Sequence, residues 1–210
     1  MASKRILVVL LLLCFGTSSF AQRILYSEPE KDDSRRMDFD IIGKISGNIL
    51  IYKKIRTKGY IVIYNNNMEQ MGKEEQKYLP EDRLINVDFI PYPDFTYVVY
   101  QYQKKNVVHC EAAKVDGNGK LMTDVITLDT SHIGAATSNR VYSTISSEDK
   151  SKIMVFKINS RNRSKFILST LLFDVKLALS KRSRFPAMRL CAIVGGVIII
   201  GTPAISSQRS

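Results

Sequence analysis

The pattern that decides the fold stands in residues 93–121, PDFTYVVYQYQKKNVVHCEAAKVDGNGKL. A turn at Pro93-Asp94 precedes an aromatic and β-branched run, Phe95–Tyr102, and a second apolar run follows at Val107–Cys110. Short runs of this composition are typical of β-strands. The Asp-Gly and Asn-Gly pairs of Asp116–Gly119 favour a tight hairpin turn. The segment therefore predicts consecutive antiparallel strands joined by tight turns.

The same order of turn and strand occurs at two other places. Residues 148–155, EDKSKIMV, repeat it, and residues 47–52, GNILIY, form a weaker copy. The apolar residue that ends the strand before each closing turn also recurs at a regular spacing. Val115 lies 51 residues after Tyr64 and 58 residues before Phe173. A period of about 50 residues with four strands per unit is typical of a propeller blade. The chain is therefore predicted to contain about three such units.

These units occupy residues 41–180, and no long segment between residues 40 and 179 has helical periodicity. We predict an all-β fold made of antiparallel four-stranded blades of an incomplete β-propeller, with a β-meander or sandwich as the alternative. Closed propellers typically have about four to eight blades, so three blades do not close a ring. Either partner chains complete the ring or the chain itself is incomplete.

Two of the turns carry a motif of a known repeat family. Pro91-Tyr92-Pro93-Asp94-Phe95 and Ser146-Ser147-Glu148-Asp149-Lys150 each place a polar, aspartate-containing turn before an apolar strand, although neither has glycine after the aspartate. In this respect residues 40–180 resemble bacterial exported β-propeller repeat proteins of the TolB-like or WD-like type. The resemblance implies four-stranded blades, and it assigns no catalytic or cofactor-binding residue.

The N-terminus has the three parts of a secretory signal peptide. Lys4 and Arg5 are positively charged, residues 6–15 are a continuous apolar run, and residues 19–21 (SFA) place small residues at the cleavage-determining positions. The apolar run is too short to span a bilayer core of about 30 Å. We therefore predict that residues 1–21 are removed on export and that the protein is periplasmic, on the outer surface or secreted.

Two further segments flank the predicted blades. Residues 22–40 are polar and charged, and we predict that they form an exposed lead-in. Residues 181–210 form an atypical basic and apolar tail, in which residues 185–210 contain no acid. One interpretation is that a frameshift produced this tail and truncated the protein, and an unusual buried strand is another.

A membrane anchor is the third interpretation of the tail. Residues 190–205 are largely apolar, but they number only 16 against the roughly 20 residues that a spanning helix needs. The basic residues before them would lie outside the membrane of an exported protein, against the positive-inside bias. A membrane is therefore expected as a partner only if residues 190–205 form an anchor.

The net charge of +11 is concentrated at the two ends of the chain. Lys4, Arg5 and the six basic residues after residue 174 account for eight of the 31 lysines and arginines, which leaves 23 against 20 acids. The body from residue 22 to 174 therefore has a net charge of about +3. Because strong, clustered basicity marks nucleic-acid-binding domains, no nucleic-acid partner is expected.

Residues suited to catalysis or metal binding are few. His109 lies in an apolar run and is predicted to be structural, and Asp129-Thr130-Ser131-His132 is adjacent in sequence only, which does not make a catalytic triad. The segment that begins at Asp116 resembles a calcium loop, but Lys120 and Thr127 stand at its fifth and twelfth positions, where ligands are needed. We therefore expect no cofactor or metal, and the sequence favours a binding protein over an enzyme.

The remaining site-like feature is basic. Arg161 and Arg163 are predicted to lie at a hairpin tip, with Lys165 beside them, where they would contact the anionic groups of a glycan or a lipid headgroup. A solvated turn is the alternative. We predict an exported β-propeller-like binding or scaffold module with an unknown protein or glycan ligand. A fragment of a secreted propeller hydrolase and a single-pass membrane-anchored protein are the alternatives.

Overall fold

The chain folds into strands. The computed structural model describes residues 24–29, 37–133, 140–162, 165–186, 193–194 and 197–198. Within these residues it contains three four-stranded antiparallel sheets and no helix, which confirms the predicted all-β fold. The described part of the chain therefore has no helix that is long and apolar enough to cross a membrane. Each of the three four-stranded sheets in the described residues has an edge strand at either side.

Each sheet is built from four strands that follow one another in the chain and pair in that order. The first sheet contains β1 (Met37–Ile45), β2 (Asn48–Ile55), β3 (Lys58–Tyr64) and β4 (Gln70–Glu75). The second contains β5 (Leu84–Pro91), β6 (Phe95–Lys104), β7 (Val107–Asp116) and β8 (Ile126–His132). The third contains β9 (Tyr142–Ser146), β10 (Lys152–Asn162), β11 (Lys165–Asp174) and β12 (Leu179–Pro186). A separate pair contains β13 (Ile193–Val194) and β14 (Val197–Ile198).

Two predicted boundaries differ from the structure. The first sheet begins at Met37, inside the predicted lead-in of residues 22–40, because β1 pairs with β2 along its whole length. The third sheet continues to Pro186, six residues into the predicted tail of residues 181–210. Its last strand is at the edge of the sheet and its basic side chains are exposed, so their charges cost little there. Composition was therefore a poor guide to where this sheet ends.

The turns between the third and fourth strands of the three sheets have the same conformation. In each turn the side-chain oxygen of the first residue accepts hydrogen bonds from the backbone N–H groups two and four residues later, at 2.8–3.0 Å. These first residues are Asn65, Asp116 and Asp174. The residue three positions later has a positive φ in every copy. The spacings of 51 and 58 residues predicted from sequence therefore correspond to a true structural repeat.

The sheets stack in chain order, so the second sheet is buried on both faces. Residues that line the core between the first and second sheets include Leu50, Tyr52, Ile61, Ile63, Val98, Tyr100, Ala113 and Val115. Residues that line the core between the second and third sheets include Tyr97, Val99, Cys110, Ala112, Tyr142, Ile153, Val155, Leu171 and Phe173. Because successive side chains alternate between faces, neighbours such as Val98 and Val99 enter different cores. This double burial explains the continuous apolar runs of β6 and β7.

One glutamine connects the second sheet to the start of the third. Gln101 is 2% exposed, and its Oε1 accepts hydrogen bonds from the backbone N–H groups of Val141 (3.0 Å) and Tyr142 (2.8 Å). Its Nε2 donates to the carbonyl oxygen of Tyr142 at 2.7 Å. The side chain thus pairs with the beginning of β9 as a neighbouring strand would. The three hydrogen bonds offset the desolvation cost of the buried amide and fix the position of the third sheet.

Candidate binding cleft

A polar cleft of about 160 Å³ lies between the first strands of the first and second sheets. Its lining comes from β1, β2 and β5 and comprises Asp38, Phe39, Asp40, Tyr52, Lys54, Leu84, Ile85, Asn86 and Val87. The cleft therefore lies where two stacked sheets separate, at the end of their shared core.

Strand alternation places the two carboxylates in this cleft. Asp38 and Asp40 alternate with apolar residues along β1, and the register pairs them with Lys54 and Tyr52 of β2. Since directly paired residues share a face of the sheet, both acids lie on the side of Tyr52, which packs toward the second sheet. Two carboxylates and one ammonium group give the lining a net negative charge.

Two buried polar atoms at the cleft lack a hydrogen-bond partner among the described residues. They are the hydroxyl of Tyr52 and Nδ2 of Asn86. Asn86 pairs with Gln101, so its side chain lies on the face of β5 toward the third sheet. Burial, with the charges of Asp40 and Asp38, raises the pKa of Tyr52 to about 12, so the hydroxyl keeps its proton at neutral pH. The ring of Tyr52 crosses β3 above Gly59, where a Cβ atom would approach the hydroxyl to 2.8 Å. A glycine at this position therefore allows the tyrosine to pack against β3.

The described residues contain no group of three or more His, Cys, Asp or Glu side chains arranged to hold a metal ion. The segment at Asp116 that resembles a calcium loop is a hairpin turn, because its carboxylate accepts hydrogen bonds from the backbone N–H groups of Asn118 and Lys120. Its oxygens therefore stabilise the turn.

The structure separates the adjacent Asp129, Ser131 and His132 of the sequence. Asp129 is paired with Cys110 and Ser131 with Val108, so both acid and hydroxyl face the core between the second and third sheets. His132 is the next residue of β8 and therefore projects from the opposite face. The three side chains therefore do not converge on one face of β8.

The other histidine has a packing role. The ring of His109 stacks on the ring of Tyr102 with centroids 4.9 Å apart and planes 11° apart. Beside them, the carboxylate of Glu111 accepts hydrogen bonds from the hydroxyls of Tyr100 (2.8 Å) and Tyr102 (2.9 Å). These contacts satisfy the polar ends of aromatic side chains and leave His109 in the structural role predicted for it.

A buried polar cluster between the second and third sheets was not anticipated. Lys157 Nζ lies 2.6 Å from Asp129 Oδ2 and donates to Ser131 Oγ at 2.7 Å, and the Tyr142 hydroxyl donates to the same carboxylate at 3.0 Å. The side chains of Lys157 and Asp129 are only 13% and 8% exposed. The amine of Lys157 is therefore held by an ion pair with Asp129 and a hydrogen bond to Ser131. Lys157 alternates with buried Ile153 and Val155 along β10, and this alternation was the sequence signal that could have indicated a buried lysine.

The predicted anion contact lies at the β10–β11 hairpin. Asn162 pairs with Lys165, so the strands meet where the sequence predicted a hairpin tip. Arg161 lies next to the end of β10 and Lys165 begins β11, while Arg163 lies outside the described residues. The side chains of Arg161 and Lys165 also fall outside the described part, so contact with an anion stays a prediction.

Comparison with known proteins gives no relative from which a function could be transferred. No protein family, no curated protein and no solved structure matches this chain. The resemblance to TolB-like or WD-like repeats therefore stays a prediction. A function for this chain has to be inferred from the geometry of its sheets and of the cleft.

Proposed function

We propose that the chain is an exported, non-catalytic protein-binding module with propeller-like blades, and that the cleft between its first two sheets receives a basic side chain of the partner. The observation that carries this proposal is the small cleft with the side chains of Asp38, Asp40 and Lys54, which give its lining a net negative charge.

The volume of the cleft favours a side chain over a whole ligand. Sites for small molecules and cofactors usually enclose about 300–1,000 Å³. The cleft has about 160 Å³, which suits one lysine or arginine end group better than a nucleotide or an oligosaccharide. A protein partner supplies such a group on a larger contact surface.

The lining also suits a cation on a peptide. Asp38 and Asp40 offer charge-assisted hydrogen bonds to an ammonium or guanidinium group.

A hydrolytic function has no comparable support among the described residues. The one sequence cluster with acid, hydroxyl and imidazole groups is divided between two faces of β8. Ser131 instead belongs to the ion-paired cluster of Lys157 and Asp129. We therefore propose binding in preference to catalysis.

The test is a binding assay with matched peptides. A library of short peptides displayed on beads is exposed to the purified chain, and peptides that bind are measured by fluorescence anisotropy with lysine or arginine replaced by norleucine. We expect enrichment of basic residues and binding at least roughly tenfold weaker for each norleucine peptide, since a hydrogen bond to a charged group contributes about 1.5–3 kcal/mol.

The variant Asp40→Asn identifies the cleft, and Asp82→Asn is its control. Both remove one negative charge, but Asp82 is an exposed loop residue outside the cleft. We expect Asp40→Asn to weaken binding of the basic peptide roughly tenfold and Asp82→Asn to leave it unchanged. Equal losses in both variants would show long-range electrostatics and overturn the proposed site.

A further inference from the structure

The repeat determines which face each sheet turns toward the next one. Ile61 of the first sheet and Ala112 of the second are 51 residues apart, occupy equivalent positions and both face the following sheet. Thr170, 58 residues after Ala112, is the equivalent residue of the third sheet. The face of the third sheet that carries Thr170 therefore corresponds to a face that is buried in the first two sheets.

This face of the third sheet is apolar and has no sheet packed on it among the described residues. Ile145 of β9 pairs with Met154, which pairs with Leu172 of β11, so the three side chains share this face. Ile145 is 49% exposed, and Met154 and Leu172 are partly exposed. We call these residues and Thr170 the trailing face.

The opposite end of the stack has a corresponding apolar surface. Phe39 and Ile41 alternate with Asp38 and Asp40 on β1 and therefore point away from the second sheet. They are 62% and 69% exposed. We call Phe39 and Ile41 the leading face.

The centre of the first sheet limits how another molecule can approach. Val62 and Tyr64 of β3 are buried on the same side as the leading face, and Lys53 donates a hydrogen bond to the Tyr64 hydroxyl at 3.2 Å. A partner is therefore expected to contact the sheet along β1. Within the chain, β1 already contacts β5, the first strand of the second sheet. Continued stacking would bring β1 against β9, the first strand of the third sheet.

We propose that two copies of this chain associate head to tail, with the trailing face of each copy on the leading face of the other. The interface repeats, between copies, the contact of first strands that β1 and β5 make within the chain. Two three-sheet units arranged in this way contain six sheets, within the range of about four to eight found in closed propellers. A heterologous contact of this kind gives a closed ring when its rotation returns to the first copy.

The proposal goes beyond the peptide cleft and does not depend on it. Asp38 and Asp40 lie on the other side of β1 from the leading face, so their carboxylates stay accessible in the dimer even though Phe39 also lines the cleft. Loss of peptide binding in Asp40→Asn is therefore expected without loss of the dimer. The two proposals therefore fail in different measurements, because peptide binding tests the cleft and the mass of the protein in solution tests the dimer.

Sedimentation velocity and light scattering on the purified full chain test the association. We expect a mass of two chains that falls toward one chain on dilution. Ile145→Lys and Ile41→Lys each put a charge on one of the two faces, and each is expected to weaken the dimer roughly tenfold or more. The control is Leu121→Lys, which changes a residue of the β7–β8 connection that is also exposed, at 45%. Far-ultraviolet circular dichroism should show that all three variants are folded.

Mixing the two face variants distinguishes head-to-tail association from other modes. Ile145→Lys retains an intact leading face and Ile41→Lys an intact trailing face, so an equimolar mixture is expected to recover a dimer with one contact. If the wild-type chain is a monomer, or if Ile41→Lys alone still dimerises as well as the wild type, the proposal is overturned. A dimer that is equally sensitive to Leu121→Lys would overturn it too.

Discussion

Asp116 and Asp174 are 58 residues apart and form the same hydrogen bonds in equivalent turns. The Asp116 carboxylate accepts from Asn118 and Lys120, both at 2.9 Å, and the Asp174 carboxylate accepts from Lys176 and Ala178 at 2.9 and 2.8 Å. This repetition at a distance shows that the sheets are copies of one structural unit.

The turn predicts how its first residue tolerates change. Asp174→Ala removes the carboxylate oxygen that accepts two backbone N–H groups and is expected to lower the free energy of unfolding by about 1–2 kcal/mol. Asp174→Asn keeps a side-chain oxygen, as Asn65 does in the first sheet, and is expected to cost less than half as much. Urea unfolding monitored by tyrosine fluorescence provides both values. Equal costs for the two variants would contradict the assigned hydrogen bonds.

A second prediction concerns Gly59, which lies beneath the Tyr52 ring. A Cβ atom at Gly59 would lie 2.8 Å from both the Tyr52 hydroxyl and a methyl carbon of Leu79. We expect Gly59→Ala to lower the free energy of unfolding by about 1–3 kcal/mol, because an overpacked core must shift. Gly72→Ala is the matched control, since its Cβ would be 3.5 Å from Ile63. Urea unfolding of the two variants should separate them, and equal values would show that Tyr52 has room to move.

The sequence was sufficient for the strands and the repeat but not for the ends of the third sheet. Runs such as Phe95–Tyr102 identify strands because aromatic and β-branched residues predominate there. β12, with Lys181, Arg182 and Arg184, lacks this signal, because an edge strand is held by backbone pairing and tolerates charge. Backbone hydrogen bonds can form with almost any residue type, so composition alone placed the end of the third sheet too early.

The sites were less predictable because they depend on which faces meet. Asp38 and Asp40 became part of a cleft only through the packing of the first sheet on the second. Gln101 stands in an apolar strand, and its three hydrogen bonds involve residues about 40 positions later. Such long-range pairings require the register of two sheets, which no local pattern specifies.

The buried pair of Lys157 and Asp129 gives a third prediction. Lys157→Ala leaves the carboxylate of Asp129 without its closest cation, and we expect a loss of about 3 kcal/mol in the free energy of unfolding. Lys58→Ala is the control, because Lys58 and Glu75 are 44% and 33% exposed and solvent screens their pair. A double-mutant cycle with Asp129→Ala isolates the interaction in urea unfolding. If Lys157→Ala costs no more than the control, the cluster does not stabilise the interface of the second and third sheets.

The last prediction concerns the pH dependence of stability and follows from Cys110. This free thiol is fully buried between the second and third sheets, and burial, assisted by the charge of Asp129, raises its pKa from 9.0 to about 12. The unfolded chain loses this proton at lower pH than the folded chain. The stabilisation is therefore fully present below pH 9 and declines as pH rises from 9 toward 12.

We expect the urea midpoint of the wild type to fall across this range. Cys110→Ala should fall less steeply than the wild type, because it removes one titrating group while the tyrosines with raised pKa, such as Tyr52, remain. Parallel curves for the two proteins would show that the Cys110 thiol does not control this transition. Mass spectrometry of the peptide that contains Cys110 after iodoacetamide treatment at neutral pH gives an independent readout, with modification expected only when urea unfolds the chain.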